Sequence, residues 1–221
     1  MKIFHAVIGV ASLAALTNIA QADEFSTGLA VSAGSLGVGG ELEGRFADAP
    51  FGLRLGGNAL HISHNLSTSD VSYHGTVDLA NGGLIADWYP WGSGFRFSLG
   101  GKYDGNKVDV TATPTSGGIL NLNNTAYSTA GSSVTGRATF DAVAPYAGLG
   151  FGGRVVGGLT AGIDLGALYV GSPKVALAGA GPITALPGFS GNLFSEQARL
   201  QSKIEDYRFY PVLQLSLGYQ F

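Results

Sequence analysis

The chain has 221 residues, of which 45% are hydrophobic and only 12% charged, with 36 glycines and a formal net charge of -3. So few charges are unusual for a soluble domain, there is no basic surplus to neutralise nucleic-acid phosphates, and the absence of cysteine removes disulfides, zinc-thiolate centres and cysteine nucleophiles together. No stretch of the body reaches the ~18 consecutive apolar residues of a spanning helix, which leaves a buried all-β core or a membrane β-barrel.

Lys2, the apolar run IFHAVIGVASLAAL and the small-residue site AQA at Ala20 to Ala22 read as a secretory signal peptide over residues 1–22. Residues 23–221 then form one exported domain. Lys2 is the leader's one formally charged side chain, so its removal leaves 11 basic against 15 acidic residues and a net charge of -4.

Beyond the leader, period-2 alternation predicts eight strands: Thr27 to Ala33, Gly37 to Phe46, Phe51 to His64, Val71 to Tyr89, Gly94 to Thr111, Gly136 to Gly152, Gly157 to Gly171 and Tyr207 to Phe221. Leu53 and Leu55 share one parity, Leu60 and Ile62 the other, and Gly56-Gly57 between them suggests a bulge. Connections at Asp48-Ala49-Pro50, Pro90 to Ser93 and Gly153 to Val156 are tight, while those at Asn65 to Asp70, Ala112 to Thr135 and Ser172 to Asp206 are longer. Alternating tight and long connections with an even strand count are the pattern of an outer-membrane barrel, with short periplasmic turns and long external loops. The first external connection must fit into Gly34 to Leu36; one long strand from Thr27 to Phe46 would break the topology. The exception to period 2 is Asn192 to Glu205, where Leu193, Gln197, Leu200 and Ile204 share a helical face and Asn192 is placed to cap it. It predicts a short amphipathic helix in the last external loop, packed over the barrel mouth or on lipid headgroups.

Phe46, Phe51, Trp88, Tyr89, Trp91, Phe95, Phe151 and Phe221 collect near the tight turns, and Tyr73, Tyr103, Tyr169 and Tyr207 toward the other ends, as two aromatic girdles would. If aliphatic neighbours point outward, the lumen receives Glu41, Glu43, Arg45, Arg54, Asp87, Arg96, Lys102, Asp104, Asp164 and Arg208. Folding each hairpin about its turn sets Glu43 opposite Arg54 and Asp87 opposite Arg96. Complementary charges inside eight strands make a filled interior.

The ending LSLGYQF has a final Phe, a Tyr two before it and alternating hydrophobics upstream. It resembles the C-terminal signal read by the outer-membrane assembly machinery, carried here by Leu215, Leu217, Tyr219 and Phe221. The mature chain resembles the small eight-stranded barrels typified by the OmpA transmembrane domain and OmpX. SLGVGGELEGRF, FGLRLGGN, LIADWYP, FRFSLGG, VAPYAGLGFG and GSPKV are similar to uncharacterised proteobacterial outer-membrane proteins. The resemblance implies a monomer in the outer membrane of a Gram-negative cell, in contact with outer-membrane lipid and lipopolysaccharide and delivered by periplasmic chaperones and the assembly machinery. No peptidoglycan-binding domain follows the last strand, so a cell-wall tether is not implied.

For chemistry, His61-Ile62-Ser63 resembles the His-x-Ser of lipid A deacylase barrels, where a carboxylate would activate the serine. The pairing sets Glu41 opposite Gly56, five residues below His61, and five residues of strand is about 17 Å. His61, facing His74 with His64 and Asp70 near, is the one metal candidate, and its spacing matches no metal motif. The sequence therefore predicts an all-β transmembrane barrel with a plugged lumen and a structural or surface-interaction role, with no catalysis, cofactor or metal. A narrow pore for small solutes is the alternative, and a lipid-modifying enzyme the third reading.

Overall fold

Alternation over so much of the chain leaves little that is not strand. The computed structural model describes residues 25–92, 94–115, 118–127 and 130–221. Its strands are β1 (Phe25–Gly34), β2 (Gly37–Phe46), β3 (Phe51–Ser67), β4 (Val71–Trp88), β5 (Phe95–Asp104), β6 (Lys107–Pro114), β7 (Leu120–Leu122), β8 (Thr125–Tyr127), β9 (Ser133–Thr139), β10 (Val143–Val156), β11 (Leu159–Tyr169), β12 (Lys174–Ala180) and β13 (Phe209–Gln220). A 3-10 turn (Pro182–Ala185) and one helix, α1 (Phe189–Ile204), complete the described elements. The leader assigned to residues 1–22 lies outside the described residues.

Eight strands close a ring in the order β1, β2, β3, β4, β5, β10, β11, β13 and back to β1, every pair antiparallel. The first connection is as tight as the topology requires: Gly34 pairs with Gly37, leaving Ser35 and Leu36 as the turn. That turn is fastened to β13, since Ser35 N donates to Leu213 O at 2.9 Å and the Tyr210 hydroxyl donates to Ser35 O at 2.5 Å. The third tight turn falls later than expected. β10 runs to Val156, with an irregularity between Arg154 and Val156, and the chain reverses at Gly157-Gly158, where Gly157 takes φ +57.

Five strands continue past the ring at its long-loop end as an open curved sheet in the order β12, β9, β6, β4, β3. β6 extends β5 without a change of register, because Asn81 pairs with Asp104 and Asp78 with Lys107. Of the two long connections read as loops from the sequence, the last contains β12 and the middle one the β7–β8 hairpin, while the expected strand Gly136 to Gly152 divides into the end of β9, in the extension, and β10, in the ring. The β7–β8 hairpin arises at Asn123-Asn124, both with positive φ as a two-residue primed turn demands. Leu120, Leu122 and Tyr127 of that hairpin pack with Val71, Val134, Ile183 and Phe189, which ties hairpin, sheet and helix into one apolar cluster over the inner face.

The parity change in β3 has a different cause from the bulge predicted at Gly56-Gly57. Both ladders of β3 are unbroken there, Glu41 facing Gly56 on one side and Gly56 facing Gly83 on the other. What changes is the environment. In the ring, Phe51, Leu53, Leu55, Trp88 and Leu84 point outward while Arg54, Asn58, Asn81 and Asp87 point inward and are buried. Past Asn58 and Asn81 the same strands turn Leu60, Ile62, Val77 and Leu79 inward and His61, Ser63, Asp78 and Thr76 outward. β5 and β6 repeat the switch, from Lys102 inside and Tyr103 outside to Val108 inside and Lys107 outside. The ring is thus apolar on its outer face, and the extension on its inner face, as a soluble sheet would be.

α1 begins at Phe189 behind Gly188 in the left-handed region, three residues before the predicted start. Asn192 is therefore not its cap; its side chain donates to the Tyr127 hydroxyl at 2.7 Å and accepts from Asn123 at 3.2 Å. Gln197 and Gln201 do the telling work. β12 is an edge strand whose outward N–H groups would lack partners, and Leu177 N donates to Gln197 Oε1 at 3.0 Å and Val175 N to Gln201 Oε1 at 2.9 Å. One helical step of four residues rises ~6.0 Å, close to the ~6.6 Å of two strand residues, so the amides match alternate strand donors. Replacing both glutamines by alanine is expected to speed amide hydrogen exchange at Val175 and Leu177 at least tenfold while leaving the ring protected. Unchanged exchange at those two amides would show that the helix does not hold the edge.

Candidate functional site

The lumen is built by the inward-pointing residues of all eight ring strands, and its centre is Arg54. The guanidinium forms a fork on Asp87, Nε to Oδ2 at 2.6 Å and Nη2 to Oδ1 at 3.0 Å. It also reaches across the lumen to Asp164, with Nη1 to Oδ2 at 3.1 Å and Nη2 to Oδ1 at 3.2 Å, and to Glu41 at 3.3 Å. Arg96 Nη2 donates to both Asp164 oxygens at 2.8 Å, and the Ser98 hydroxyl donates to Asp87 Oδ1 at 2.5 Å. All these side chains are buried except Glu41, which is partly so, and Asp87 is buried completely. Fork-shaped guanidinium donors satisfy several carboxylate lone pairs at once, which is why arginine and not lysine suits this centre.

The predicted lumen residues sort into four groups. Glu41, Arg54, Asp87, Arg96 and Asp164 form the cluster. Glu43 faces Arg54 in the ladder, as expected, yet forms no ion pair with it among the described residues; it lines a vestibule of about 80 Å³ at the tight-turn end with Arg45 and Tyr89. Asp87 lies opposite Ser98 in the ladder, not Arg96, because the connection after Trp88 places Trp88 against Phe97; the expected ion pair still forms, diagonally, with Arg96 Nε 3.8 Å from Asp87 Oδ1. Arg45 stands over the Tyr89 ring at 4.1 Å and donates to Gly92 O, so it belongs to the vestibule mouth. This also removes Tyr89 from the outer girdle. Lys102 and Asp104 are buried further up, beyond the cluster. Arg208 is not in the lumen: it precedes β13, is exposed, and donates to Glu205 O at 3.3 Å.

Gly150 sets the cluster's geometry. It lies between Arg96 and Asp164 in the two ladders, and a Cβ there would stand 2.5 Å from both Arg96 Nε and Asp164 Oδ1. Gly150→Ala is expected to cost about 1–3 kcal/mol through overpacking, read as a lower midpoint in urea unfolding from lipid vesicles. A neutral outcome would mean that the pair can sit elsewhere.

Toward the long-loop end the cluster is covered by an apolar layer that sequence reasoning missed. Leu36, at the tip of the β1–β2 turn, folds inward and packs with Ile85, Ala144, Tyr146, Leu168 and Val212, with Phe140 and Tyr210 beside them. Between the cluster and this layer remains a void of about 10 Å³, lined by Glu41, Lys102 and Gln214 among others. Inward parity and an apolar leucine in the tight turn Ser35-Leu36 were the available signals.

The enzyme and metal candidates separate. His61 pairs with Asp78, its Nδ1 2.5 Å from Asp78 Oδ1, on the exposed outer face of the extension, and that bond holds the Asp78 carboxyl below the usual range. His74 faces Asn65 at 2.5 Å, so His61 and His74 do not meet as expected. Among the described residues no group of three or more His, Asp or Glu is close enough to share a metal. Of the outer aromatics at the long-loop end, Tyr103, Tyr169 and Tyr207 are exposed as a girdle requires and Phe209 joins them; Tyr73 instead packs on the inner apolar cluster.

No family model matches the chain, and no curated protein matches it. Among solved structures it is similar to Acinetobacter baumannii CarO2, with a TM-score of 0.62 and 24% identity, and to Acinetobacter baumannii CarO, with 0.61 and 25%. Each likeness covers 89% of this chain and 98% of the other. A major outer membrane protein from Thermus thermophilus matches at a TM-score of 0.46 and 16% identity. The two Acinetobacter likenesses support a small outer-membrane barrel and do not single out the OmpA or OmpX type. The chain is a closed eight-stranded antiparallel β-barrel of the outer-membrane kind.

Proposed function

We propose that this chain resides in the outer membrane as a closed barrel with a structural or surface-interaction role, its tight turns in the periplasm and its five-stranded extension outside. The observation that carries the reading is the filled lumen, in which the Arg54 cluster and the Leu36 layer occupy consecutive levels, with a void of about 10 Å³ between them and the vestibule below. A solute passing through would have to part buried ion pairs, each costly to break. The outer face meets outer-membrane lipid and lipopolysaccharide, and the periplasmic chaperones and assembly machinery are its partners in biogenesis. The barrel is a monomer in this reading, without catalysis or cofactor. The refolded protein in planar bilayers is expected to show no steady conductance. Long-lived, regular channel openings would replace this reading by that of a narrow pore.

A further inference from the structure

Above the Leu36 layer the lumen opens into a cavity of about 140 Å³ at the base of the extension, distinct from the cluster and its vestibule. Its walls are mostly apolar, Val77, Leu79 and Val108 from the inner face with Phe140, Val170 and Tyr210 below, and Asn106 and Lys107 complete the lining beside Asp104. One carboxylate enters it. Asp104 is only 4% exposed; its Oδ1 accepts from Asn106 N at 2.8 Å, and its Oδ2 has no hydrogen-bond partner among the described residues.

The neighbouring cations are engaged elsewhere. Lys107 holds its ammonium on the outer face, 3.7 Å from Asp78. Lys102 points into the lower void beside Glu41. Inside the lumen and its vestibule, the five carboxylates of Glu41, Glu43, Asp87, Asp104 and Asp164 face the four cations of Arg45, Arg54, Arg96 and Lys102, so the interior as a whole favours one further positive charge. A buried carboxylate without a partner is costly, and a lone one is too few ligands for a metal ion.

We propose that this cavity binds a small organic ammonium compound, its cationic group on Asp104 Oδ2 and its apolar body against Val77, Leu79, Val108 and Phe140. An ammonium group donates to the free oxygen, and the Phe140 and Tyr210 rings offer faces that attract a cation. A neutral alcohol of the same size supplies the apolar contact without the charge. A carboxylate is repelled. The walls are only half-buried, apart from Val170, which leaves the cavity accessible from the long-loop end.

The test is a titration of the isotope-labelled full chain in lipid nanodiscs with n-butylammonium chloride, followed through the amide resonances of Asp104 to Val108, with n-butanol and butyrate as parallel probes. Saturable shifts with butylammonium alone are expected, weakened at least tenfold in Asp104→Asn and in the cavity-filling Val77→Phe. Two variants of opposite chemistry keep the test valid if one fails to fold. Equal responses to butanol and butylammonium would show non-specific partition and overturn the proposal. So would the absence of saturable shifts, or retained affinity in Asp104→Asn.

Discussion

Arg54→Ala is expected to destabilise the barrel by about 3–5 kcal/mol, the usual result of removing one partner of a buried ionic cluster. The loss is large because Arg54 is shared: Asp87 and Asp164 each lose two hydrogen bonds and Glu41 loses its one. Arg54→Lys keeps the charge and loses the fork, so it should recover only part of the loss. Exchanging charges with the cross-strand neighbour, Glu43→Arg with Arg54→Glu, should not rescue, since Glu43 is not the partner. Glu43→Gln alone is expected to cost no more than about 1 kcal/mol. The readout is urea unfolding from lipid vesicles by the fluorescence of Trp88 and Trp91. If Glu43→Gln proves as damaging as Arg54→Ala, the lumen is wired as ladder pairs and the cluster is wrong.

Leu215→Arg is expected to cost about 2–4 kcal/mol, the penalty for arginine near the midplane of a lipid-facing strand. Leu215 is 58% exposed on the outer face of β13, between Ala33 and Ile163 in the ladders. Leu215→Ala should be nearly silent by comparison, because lipid fills the space the side chain leaves. Gln214→Arg should also be harmful, though for another reason. Gln214 is buried on the inner face beside a void of about 10 Å³ that Lys102 already lines, so neither the volume nor the charge has room. Gln214→Glu, facing Lys102, should be tolerated better. A harmless Leu215→Arg in lipid vesicles would refute the assignment of faces.

Much of this architecture is legible in the residues, and the illegible part has definite physical causes. Period 2 and the tight turns suffice for eight walls, for the Ser35-Leu36 reversal and for the pairing of Glu43 with Arg54, because a short turn fixes register locally. They miss the Arg54–Asp164 contact, which spans the lumen between β3 and β11; only closure of the ring brings those strands face to face. The ladder register at Asp87 was off by two residues, although Asp87 and Arg96 still pair at 3.8 Å, because the turn after Trp88 is not symmetric: Tyr89 N bonds back to Pro50 O, and Gly92, with φ +61, closes onto Tyr89 O. The β7–β8 hairpin was signalled by LNL and TAY around Asn123-Asn124, and the alternation in KVALAGA signalled β12. Both were hidden by reading every long connection as a loop. The assignment of a bulge to Gly56-Gly57 shows the limit of parity reasoning, which assumes that the greasy side of a strand stays on one face.

The switch of polarity along β3, β4 and β5–β6 works as a depth gauge. Sinking the barrel by one strand repeat would draw His61, Asp78 and Lys107 toward hydrocarbon, where a lysine is penalised by ~2–4 kcal/mol at the midplane and ~0–1 kcal/mol near the interface, and an acidic group by less. Raising it by the same amount would lift Leu55, Leu84 and Leu99 toward water, at ~25 cal/mol for each Å² of apolar area uncovered. Both displacements are uphill, so the strands themselves resist vertical movement, in addition to the exposed aromatics at their ends. Since three adjacent walls change sign at the same height, the restoring force also resists tilt on that side. The ring's other walls have no such extension on β1 and β2, where the Ser35-Leu36 turn lies low.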